Sequence, residues 1–311
     1  MGGVILVGGK MSKDPSASYK SRDRGPIEFE SKLHEEEGRI MTIAERDVIT
    51  IPPSLPIKEA SEKMVRNGVR RLPVTSPGTE KLHGMLVTRD IVDFLGGGEK
   101  NQIIEKKHNH NFLSAINDPS KIIMDRDAPY ADNKSSISDV AKILIEKNVG
   151  GTPIVDKERK VVGIVSERDF ARYIPSPAQT RVEAHMTQNV VTAEPDLFLI
   201  DIMKRMINEG FRRLPVVDNN KLVGVITSVD VLEYFGTSEM FEHMSSGDAK
   251  DAMAIEIREL MTKNPITVDP KADLGETARR MEKHGYGGLP VVENGKLVGL
   301  ITERDIVELL T

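Results

Sequence analysis

The sequence predicts a mixed α/β protein assembled from four copies of one α+β unit of about 60 residues. The stretch RRLPV occurs at residues 70–74 and again at 212–216. A threonine or tyrosine, a proline 23 residues later, a glycine that opens an apolar segment, and an aspartate six residues after that glycine recur four times. In chain order these positions are Thr50, Tyr130, Thr192 and Thr267, then Pro73, Pro153, Pro215 and Pro290, then Gly84, Gly163, Gly224 and Gly299, and finally Asp90, Asp169, Asp230 and Asp305.

The first element of each unit is predicted to be an amphipathic helix. Apolar residues after the threonine or tyrosine follow the i, i+3, i+4 spacing that places them on one face of a helix. In the first two units these residues are Ile57, Ala60, Met64 and Val65, and Ile137, Val140, Ala141, Leu144 and Ile145. A glycine-containing stretch is expected to end the helix before the next element.

Two short strands and a second helix are predicted to follow. The prolines lie in the apolar stretches LPVT, TPIV, LPVV and LPVV, and polar turns such as DNNK and ENGK lead to a strand that begins at the recurring glycine. The aspartate then opens a helix. Because orphan amides at a helix start favour an acidic side chain, a helix N-cap is one interpretation of each aspartate. The fixed register with threonine and proline in four copies also favours a binding role.

These patterns predict the domain organisation of the 311-residue chain, which is longer than one typical core. The repeats are expected at residues 41–97, 115–174, 180–236 and 254–311, with connectors at 98–114 and 237–253 and a flexible N-terminal tail at 1–40.

The repeated threonine, proline, glycine and Ser/Thr-x-x-Asp motif resembles that of CBS domains, named after cystathionine β-synthase. Four of them in one chain are similar to the γ subunit of AMP-activated protein kinase and its archaeal four-repeat relatives. The resemblance implies that repeats pair into two modules, that the modules form a disk, and that adenosine ligands lie in clefts between paired repeats. It implies ribose binding by Asp90, Asp169, Asp230 and Asp305, and phosphate binding by Ser166, Thr227 and Thr302. It also implies an adenine pocket lined by Thr50, Thr192, Thr267, Pro73, Pro153, Pro215 and Pro290.

The chemistry of the side chains is compatible with a nucleotide. A carboxylate accepts hydrogen bonds from both cis hydroxyls of a ribose, and an arginine fork grips phosphate through two donors. The paired arginines of repeats 1 and 3 are therefore predicted to bind phosphate, the alternative being ordinary solvated surface side chains; they are Arg70, Arg71, Arg212 and Arg213. Repeats 2 and 4 have glycines there, which are expected to let a ligand approach the backbone; they are Gly150, Gly151, Gly287 and Gly288.

The four sites are not expected to be equal. Repeat 1 has Val87 in place of the hydroxyl residue, repeat 2 has Tyr130 in place of the early threonine, and repeat 3 has Val229 in place of an arginine. The arginines before the aspartates of the other repeats have two interpretations, a phosphate contact or an ion pair with a nearby acid; they are Arg89, Arg168 and Arg304.

Composition excludes several functions. The chain has no cysteine, which rules out disulfides, thiolate nucleophiles and cysteine-ligated zinc, and its net charge of −5 makes the surface as a whole a poor nucleic-acid binder. No apolar run approaches a membrane span, and the start MGGVILVGGK does not resemble a signal peptide, so a cytoplasmic location is expected. The HNH stretch at 108–110 is interpreted as a solvated loop rather than a metal site. No catalytic constellation is recognised, so we expect no enzyme and no metal.

Two functions are compatible with these observations. The first is a non-catalytic energy sensor that binds AMP, ADP or ATP and signals to a protein partner, with S-adenosylmethionine disfavoured because its sulfonium is cationic. The second is an interaction factor that docks on RNA or the ribosome, silencing translation, through the basic stretch KMSKDPSASYKSRDR at residues 10–24. The two can coexist, and a homodimer is compatible with either.

Overall fold

The computed structural model describes residues 40–237, 239–244 and 249–311. The expected N-terminal tail lies outside the described residues except for Ile40. None of the helices in the described ranges is long and apolar enough to cross a membrane.

Each repeat folds as a helix, an antiparallel pair of strands and a second helix. In repeat 1, Gly68 ends the first helix in the left-handed conformation (φ 62°), where a glycine has no steric cost. The elements of repeat 1 are α1 (Ile57–Asn67), β1 (Arg71–Thr75), β2 (Leu82–Val87) and α2 (Thr88–Gly96).

Repeat 2 follows a short helical connector. Its leading strand lies parallel to the first strand of its hairpin, which makes a three-stranded sheet. The elements are α3 (Phe112–Ala115) in the connector, then β3 (Ala131–Asp132), α4 (Ile137–Glu146), β4 (Gly151–Val155), β5 (Val161–Ser166) and α5 (Glu167–Ala171).

Repeats 3 and 4 follow the same order. The connector between them is helical, and Met240, Ala252 and Met253 within it are buried in the main core. The elements are α6 (Leu199–Glu209), β6 (Arg213–Asp218), β7 (Lys221–Thr227), α7 (Ser228–Gly236), α8 (Glu239–Glu242), α9 (Ala249–Met253), β8 (Thr262–Lys263), α10 (Leu274–His284), β9 (Gly288–Glu293), β10 (Lys296–Thr302) and α11 (Glu303–Val307). Single 3-10 turns lie at Ile40–Thr42, Glu99–Asn101, Ser120–Ile122, Val182–Ala184, Ile257–Glu259 and Glu308–Leu310, and a π turn lies at Ile103–Lys107.

The recurring prolines are tolerated because each lies in a sheet of only two or three strands. Pro73 lies opposite Met85 in the hairpin of repeat 1, and its carbonyl accepts a hydrogen bond from the amide of Ile51 in the segment before α1. Proline has no amide to donate, so it fits a strand whose other partner is only this short segment. The equivalent bond runs from Ala193 to the carbonyl of Pro215 in repeat 3.

Repeats pair through their strands as 1 with 2 and 3 with 4. The segment before each repeat crosses to the hairpin of its neighbour, with a bridge from Met85 to Asp125 and one from Glu45 to Ile164. In the second pair, β8 adds to β7, and Thr187 bridges Leu300. This reciprocal exchange makes two modules of two repeats each.

The helices join the two modules by packing repeat 1 on 3 and repeat 2 on 4. Gly96 at the end of α2 lies against Met203 of α6, and Gly236 at the end of α7 lies against Ser61 and Val65 of α1. A Cβ at Gly236 would lie 2.6 Å from Val65 Cγ2, so only glycine permits this approach without movement. One apolar core therefore spans repeats 1 and 3.

Candidate functional site

A cavity of about 970 Å³ lies where the four repeats meet. The entries to the first hairpin strands line it, since these carry the arginine pairs of repeats 1 and 3 and the glycine pairs of repeats 2 and 4. Neither module alone could form the cavity, because each of the four repeats supplies part of its wall.

The glycine pairs make room for the arginines. A Cβ at Gly150 would lie 2.5 Å from Nη1 of Arg212 and 2.9 Å from Nη2 of Arg71. A Cβ at Gly287 would lie 2.7 Å from Nη2 of Arg213 and 3.0 Å from Nη1 of Arg70. Guanidinium groups occupy the space that these glycines leave open, and the expected approach of a ligand to their backbone stays a prediction.

Two glutamates that the sequence analysis did not single out form ion pairs with arginines at and near the cavity. Oε2 of Glu167 lies 2.8 Å from Nη1 of Arg212, and its Oε1 lies 2.5 Å from Nε of Arg304. In the other module, Oε1 of Glu303 lies 3.0 Å from Nε of Arg168. Both glutamates are 5% exposed. Burial by itself raises the pKa of Glu167, but the surrounding arginines outweigh it, and the pKa of this carboxyl lies below its usual value.

Three of the four central arginines have no carboxylate partner among the described residues. They are Arg70, Arg71 and Arg213. Burial lowers the pKa of Arg71 and of Arg213 to about 10, and both guanidinium groups are charged at neutral pH. At the hairpin entries the cavity thus presents guanidinium groups without an ion-pair partner among the described residues, which favours an anionic group there. Carboxylates line other parts of the wall, at Asp90, Asp125, Asp230, Glu233 and Glu259.

The contacts of the arginines before the recurring aspartates bear on their two interpretations, a phosphate contact or an ion pair. Arg168 and Arg304 pair with Glu303 and Glu167, as the ion-pair interpretation predicted. Arg304 also donates to the carbonyls of Leu144 and Val149 at the end of α4, where cations are favourable. Arg89 donates to the carbonyl of Ile207 at 3.3 Å.

The recurring aspartates lie at the third position of their helices, so the N-cap interpretation was wrong by three residues. Oδ2 of Asp230 accepts from the amide of Thr227 at 2.7 Å and from its hydroxyl at 2.8 Å. The same pair of bonds joins Ser166 to Asp169 and Thr302 to Asp305. The capping residue and the aspartate form a reciprocal capping box, which orients the carboxylate. Burial raises the pKa of Asp305 in spite of its bonds to Thr302.

Asp90 has different surroundings. Its Oδ2 accepts from the amide of Val87 at 2.7 Å, and its Oδ1 pairs with the ammonium of Lys100. Burial raises the pKa of Asp90 against the opposing effect of Lys100.

The cavity brings together only some of the predicted site residues. Those that line it are Arg70, Arg71, Arg212, Arg213, Asp90, Asp230, Thr227 and Pro290. Those that do not line it are Asp169, Asp305, Ser166, Thr302, Thr50, Thr192, Thr267, Pro73, Pro153 and Pro215. The roles predicted for this second group remain predictions.

Two aromatic rings, Phe211 and Tyr286, line the cavity and were also not singled out. Each immediately precedes the arginine or glycine pair of its repeat, where repeat 1 has Val69 and repeat 2 has Val149. Both rings belong to the module that carries Asp230. Tyr130 instead lies under the guanidinium of Arg159, 4.6 Å from its ring centroid.

The first residue of the HNH stretch, His108, makes side-chain contacts within the fold. Nδ1 of His108 lies 2.9 Å from the hydroxyl of Ser114, and Nε2 lies 2.6 Å from Asp118, so the solvated-loop interpretation is wrong for His108. In the described ranges no group of three or more metal-binding side chains comes together.

Comparison with known proteins identifies the fold. The CBS domain family matches residues 40–97, 120–176, 182–237 and 257–311. The chain belongs to the CBS-domain family. This confirms the resemblance stated from the repeated motif, and the four-repeat α/β fold with it.

Two relatives match most of the length of this CBS protein. MJ1225 from Methanocaldococcus jannaschii is 36% identical over 87% of this chain and 98% of the relative. Its crystal structure, described for a proposed archaeal homologue of γ-AMPK, has a TM-score of 0.84 and covers 88% of this chain and 100% of that one. A 33.4 kDa protein from the ribosomal RNA operon of Thermofilum pendens is 31% identical over 83% of this chain and 86% of the relative.

Proposed function

We propose that this CBS protein is a non-catalytic regulator that binds an adenine nucleotide in the central cavity and signals its occupancy to a partner. The ribose hydroxyls bind Asp230, and the phosphates bind the central arginines. The base lies toward Phe211 and Tyr286, because aromatic faces stack on nucleobases.

The observation that carries this proposal is the set of central arginines that lack a carboxylate partner among the described residues. Arg70, Arg71 and Arg213 converge in one cavity with Asp230, whose carboxylate is fixed by Thr227. A ligand with a cis diol at one end and phosphate at the other matches both groups of side chains. The guanidinium groups of these arginines also disfavour S-adenosylmethionine, whose sulfonium is a cation.

Isothermal titration calorimetry of the full-length protein with AMP, ADP, ATP and S-adenosylmethionine tests the proposal. We expect a phosphorylated adenosine to bind and Asp230→Ala to weaken it at least tenfold, since charge-assisted hydrogen bonds contribute roughly 1.5–3 kcal/mol each. Asp139→Ala is the matched control, because Asp139 belongs to the capping box of α4 and does not line the cavity.

Absence of binding by all four compounds contradicts the proposal, as does equal loss of affinity in the Asp230 and Asp139 variants. Asp305→Ala answers a separate question. A loss of one AMP per chain in that variant would indicate a further site outside the cavity.

The signal is proposed to reach a protein partner through the packing of the four repeats around the cavity. All four repeats contribute cavity residues, so a bound nucleotide changes contacts in both modules. We further propose that the protein acts in the cytoplasm, and that a homodimer forms by pairing of two such assemblies.

A second candidate function is association with the ribosome. The observation that favours it is the Thermofilum pendens relative, whose gene lies in a ribosomal RNA operon. The basic stretch at 10–24, which lies outside the described residues, is the proposed contact with RNA. Co-sedimentation with ribosomes over a salt series, with and without residues 1–39, tests it. We expect binding that falls steeply with salt and is lost on deletion, and unchanged binding by the shortened protein would contradict the arm's role.

A further inference from the structure

The two modules meet at two edges, one between repeats 1 and 3 and one between repeats 2 and 4. A single apolar core spans the first edge, whereas repeats 2 and 4 have separate apolar cores. Because elements that share less buried apolar surface open at a lower free energy, the second edge is expected to open first. We infer that the edge between repeats 1 and 3 is a hinge, and that the edge between repeats 2 and 4 is a latch that a nucleotide in the central cavity tightens.

The hinge edge consists of α1, α2, α6 and α7, and side chains of both connectors close it. Phe112 of the first connector lies edge-on to Phe235 of α7, with the ring centroids 6.2 Å apart. The ring of Phe241 in the second connector lies 6.4 Å from that of Phe112. Apolar packing responds little to a change of charge in the cavity, so this edge should keep its geometry when a nucleotide binds.

The latch edge consists of α4, α5, α10 and α11, and reciprocal ion pairs cross it. Arg168 pairs with Glu303 and Arg304 pairs with Glu167, so each repeat supplies one arginine and one buried glutamate. Helix ends add apolar contact, such as that of Val307 in the core of repeat 2. Because the cost of burying charge offsets much of the attraction in an ion pair, these pairs add less net stability than a shared apolar core.

The same two arginines bind the backbone of the cavity wall. Nη2 of Arg168 donates to the carbonyl of Gly285 at 2.9 Å, and Nη2 of Arg304 donates to the carbonyl of Val149 at 3.1 Å. Gly285 and Val149 both line the cavity. The latch therefore fixes the parts of the wall that repeats 2 and 4 supply.

Glu167 connects the latch to an arginine of the cavity. Its Oε2 lies 2.8 Å from Nη1 of Arg212, and its Oε1 lies 2.5 Å from Nε of Arg304. A phosphate that binds Arg212 leaves the charge of the carboxylate to Arg304 and tightens the latch. This step rests on the proposed function, because it requires an anion at Arg212.

The linker between the modules determines which end of the latch can open. The amides of Ala178 and Gln179 donate to the carboxylate of Asp273, at 2.9 and 3.0 Å, where α10 begins. Because α10 has 11 residues, this contact lies about 16 Å from the end of the helix that meets the cavity. The linker thus holds the distant end of α10, and opening is confined to the end at the cavity.

Hydrogen exchange of the full-length protein, measured by mass spectrometry with and without AMP, tests the inference. Exchange is compared in α1 at the hinge and α10 at the latch, since both have 11 residues and neither lines the cavity. Without nucleotide we expect the amides of α10 to exchange at least about tenfold faster than those of α1. Saturating AMP should slow exchange in α10 about threefold or more and leave α1 unchanged.

Two glutamate variants separate the coupling from simple stabilisation of the edge. In Glu167→Gln, AMP should no longer slow exchange in α10. Glu282→Gln is the matched control, because the pair of Arg172 with Glu282, at 2.8 Å, crosses the same edge through other residues. AMP should still slow exchange in α10 in that variant. If Glu167→Gln loses cooperative unfolding, Glu167→Asp, whose shorter side chain cannot reach both arginines, takes its place.

The outcomes distinguish this inference from the proposed function. Equal exchange in α1 and α10 without nucleotide overturns the inference. Equal slowing of both helices by AMP also overturns it, as does slowing in α10 that persists in Glu167→Gln. If calorimetry detects no AMP binding, the proposed function and the tightening by nucleotide both fail, whereas exchange without nucleotide still decides which edge opens.

Discussion

The close approach of arginine to glycine in the cavity makes Gly287→Ala an informative change. The new Cβ would lie 2.7 Å from Nη2 of Arg213, 3.0 Å from Nη1 of Arg70 and 3.1 Å from Oε2 of Glu303. To reach an ordinary contact of 3.4 Å, the Arg213 nitrogen must retreat by about 0.7 Å. All three neighbouring atoms are ends of flexible side chains, so we expect the free energy of unfolding to change by less than about 1 kcal/mol.

Ligand binding should respond more strongly than stability. Displacing the guanidinium groups by this distance misaligns a charge-assisted hydrogen bond to phosphate, and the loss of one such bond is about 1.5–3 kcal/mol. We therefore expect AMP affinity to fall roughly tenfold to a hundredfold. Calorimetry measures the affinity, and urea unfolding followed by circular dichroism measures stability.

Two glycines serve as controls for this change. At Gly288 a Cβ would meet the carbonyl oxygen of Ile301 at 2.9 Å, so Gly288→Ala should cost stability as well as affinity. At Gly163, outside the cavity, the nearest atoms lie at 3.3 Å, so Gly163→Ala should leave AMP affinity unchanged. If Gly287→Ala is stable and binds AMP as the native protein does, the arginines at this position do not contact the phosphate, and the reasoning is refuted.

Three further changes test the surroundings of the cavity. Glu167→Gln should lower the free energy of unfolding by about 2 kcal/mol, because Arg212 and Arg304 lose their counterion, whereas Glu158→Gln at an exposed pair should cost less than about 0.5 kcal/mol. The folded pKa of Glu167 lies below its ordinary 4.5, so its contribution to the free energy of unfolding is fully present above about pH 4.5 and is lost as the pH falls through the lowered value. Glu167→Gln should therefore lose less stability than the native protein over that pH range in acid unfolding. Identical acid unfolding curves for the two proteins would contradict this role. Thr227→Val should cost about 1 kcal/mol through the lost cap and weaken AMP severalfold by releasing Asp230, whereas Thr302→Val should cost the same stability with no effect on AMP in the cavity; calorimetry and thermal unfolding distinguish them. Gly236→Ala should lower stability by about 1–3 kcal/mol, since its Cβ would meet Val65 and the Ser61 backbone, and a neutral result in urea unfolding would show that the contact between α7 and α1 adapts.

Much of the fold could be predicted because each repeat uses local signals. The i, i+3, i+4 spacing of Ile57, Ala60 and Met64 marks the buried face of α1, and all three side chains are fully buried. The recurring proline and glycine mark the two strands of each hairpin. The packing of helices between repeats was not predictable. Repeat 1 packs on repeat 3 through close contacts such as that of Gly236 with Val65, and these residues lie far apart in the sequence.

The site was predictable where the repeats differ from one another in a regular way. The alternation of arginine and glycine pairs indicated a cationic centre, but the same alternation of Glu167 and Glu303 in SERD and TERD was overlooked. Lys100 could not have been found by comparing repeats, because it lies in a connector outside the repeated unit. The early threonines were assigned by resemblance, and the carbonyl of Thr50 in the structure accepts a hydrogen bond from Lys63.

The ion pairs around the cavity suggest how a bound anion would affect the helices behind it. Glu167 holds Arg212, which faces the cavity, and Arg304, which also binds the end of α4. A phosphate that draws Arg212 away leaves Glu167 to Arg304 alone and strengthens that pair, because one carboxylate no longer divides its charge between two cations. Ligand charge in the cavity would then change the contact between α4 and α11, and a ligand with more phosphate groups would change it further. In this proposal, discrimination among AMP, ADP and ATP comes from the competition between phosphate and Glu167 for Arg212, and Glu167→Gln should reduce the difference in affinity among the three nucleotides.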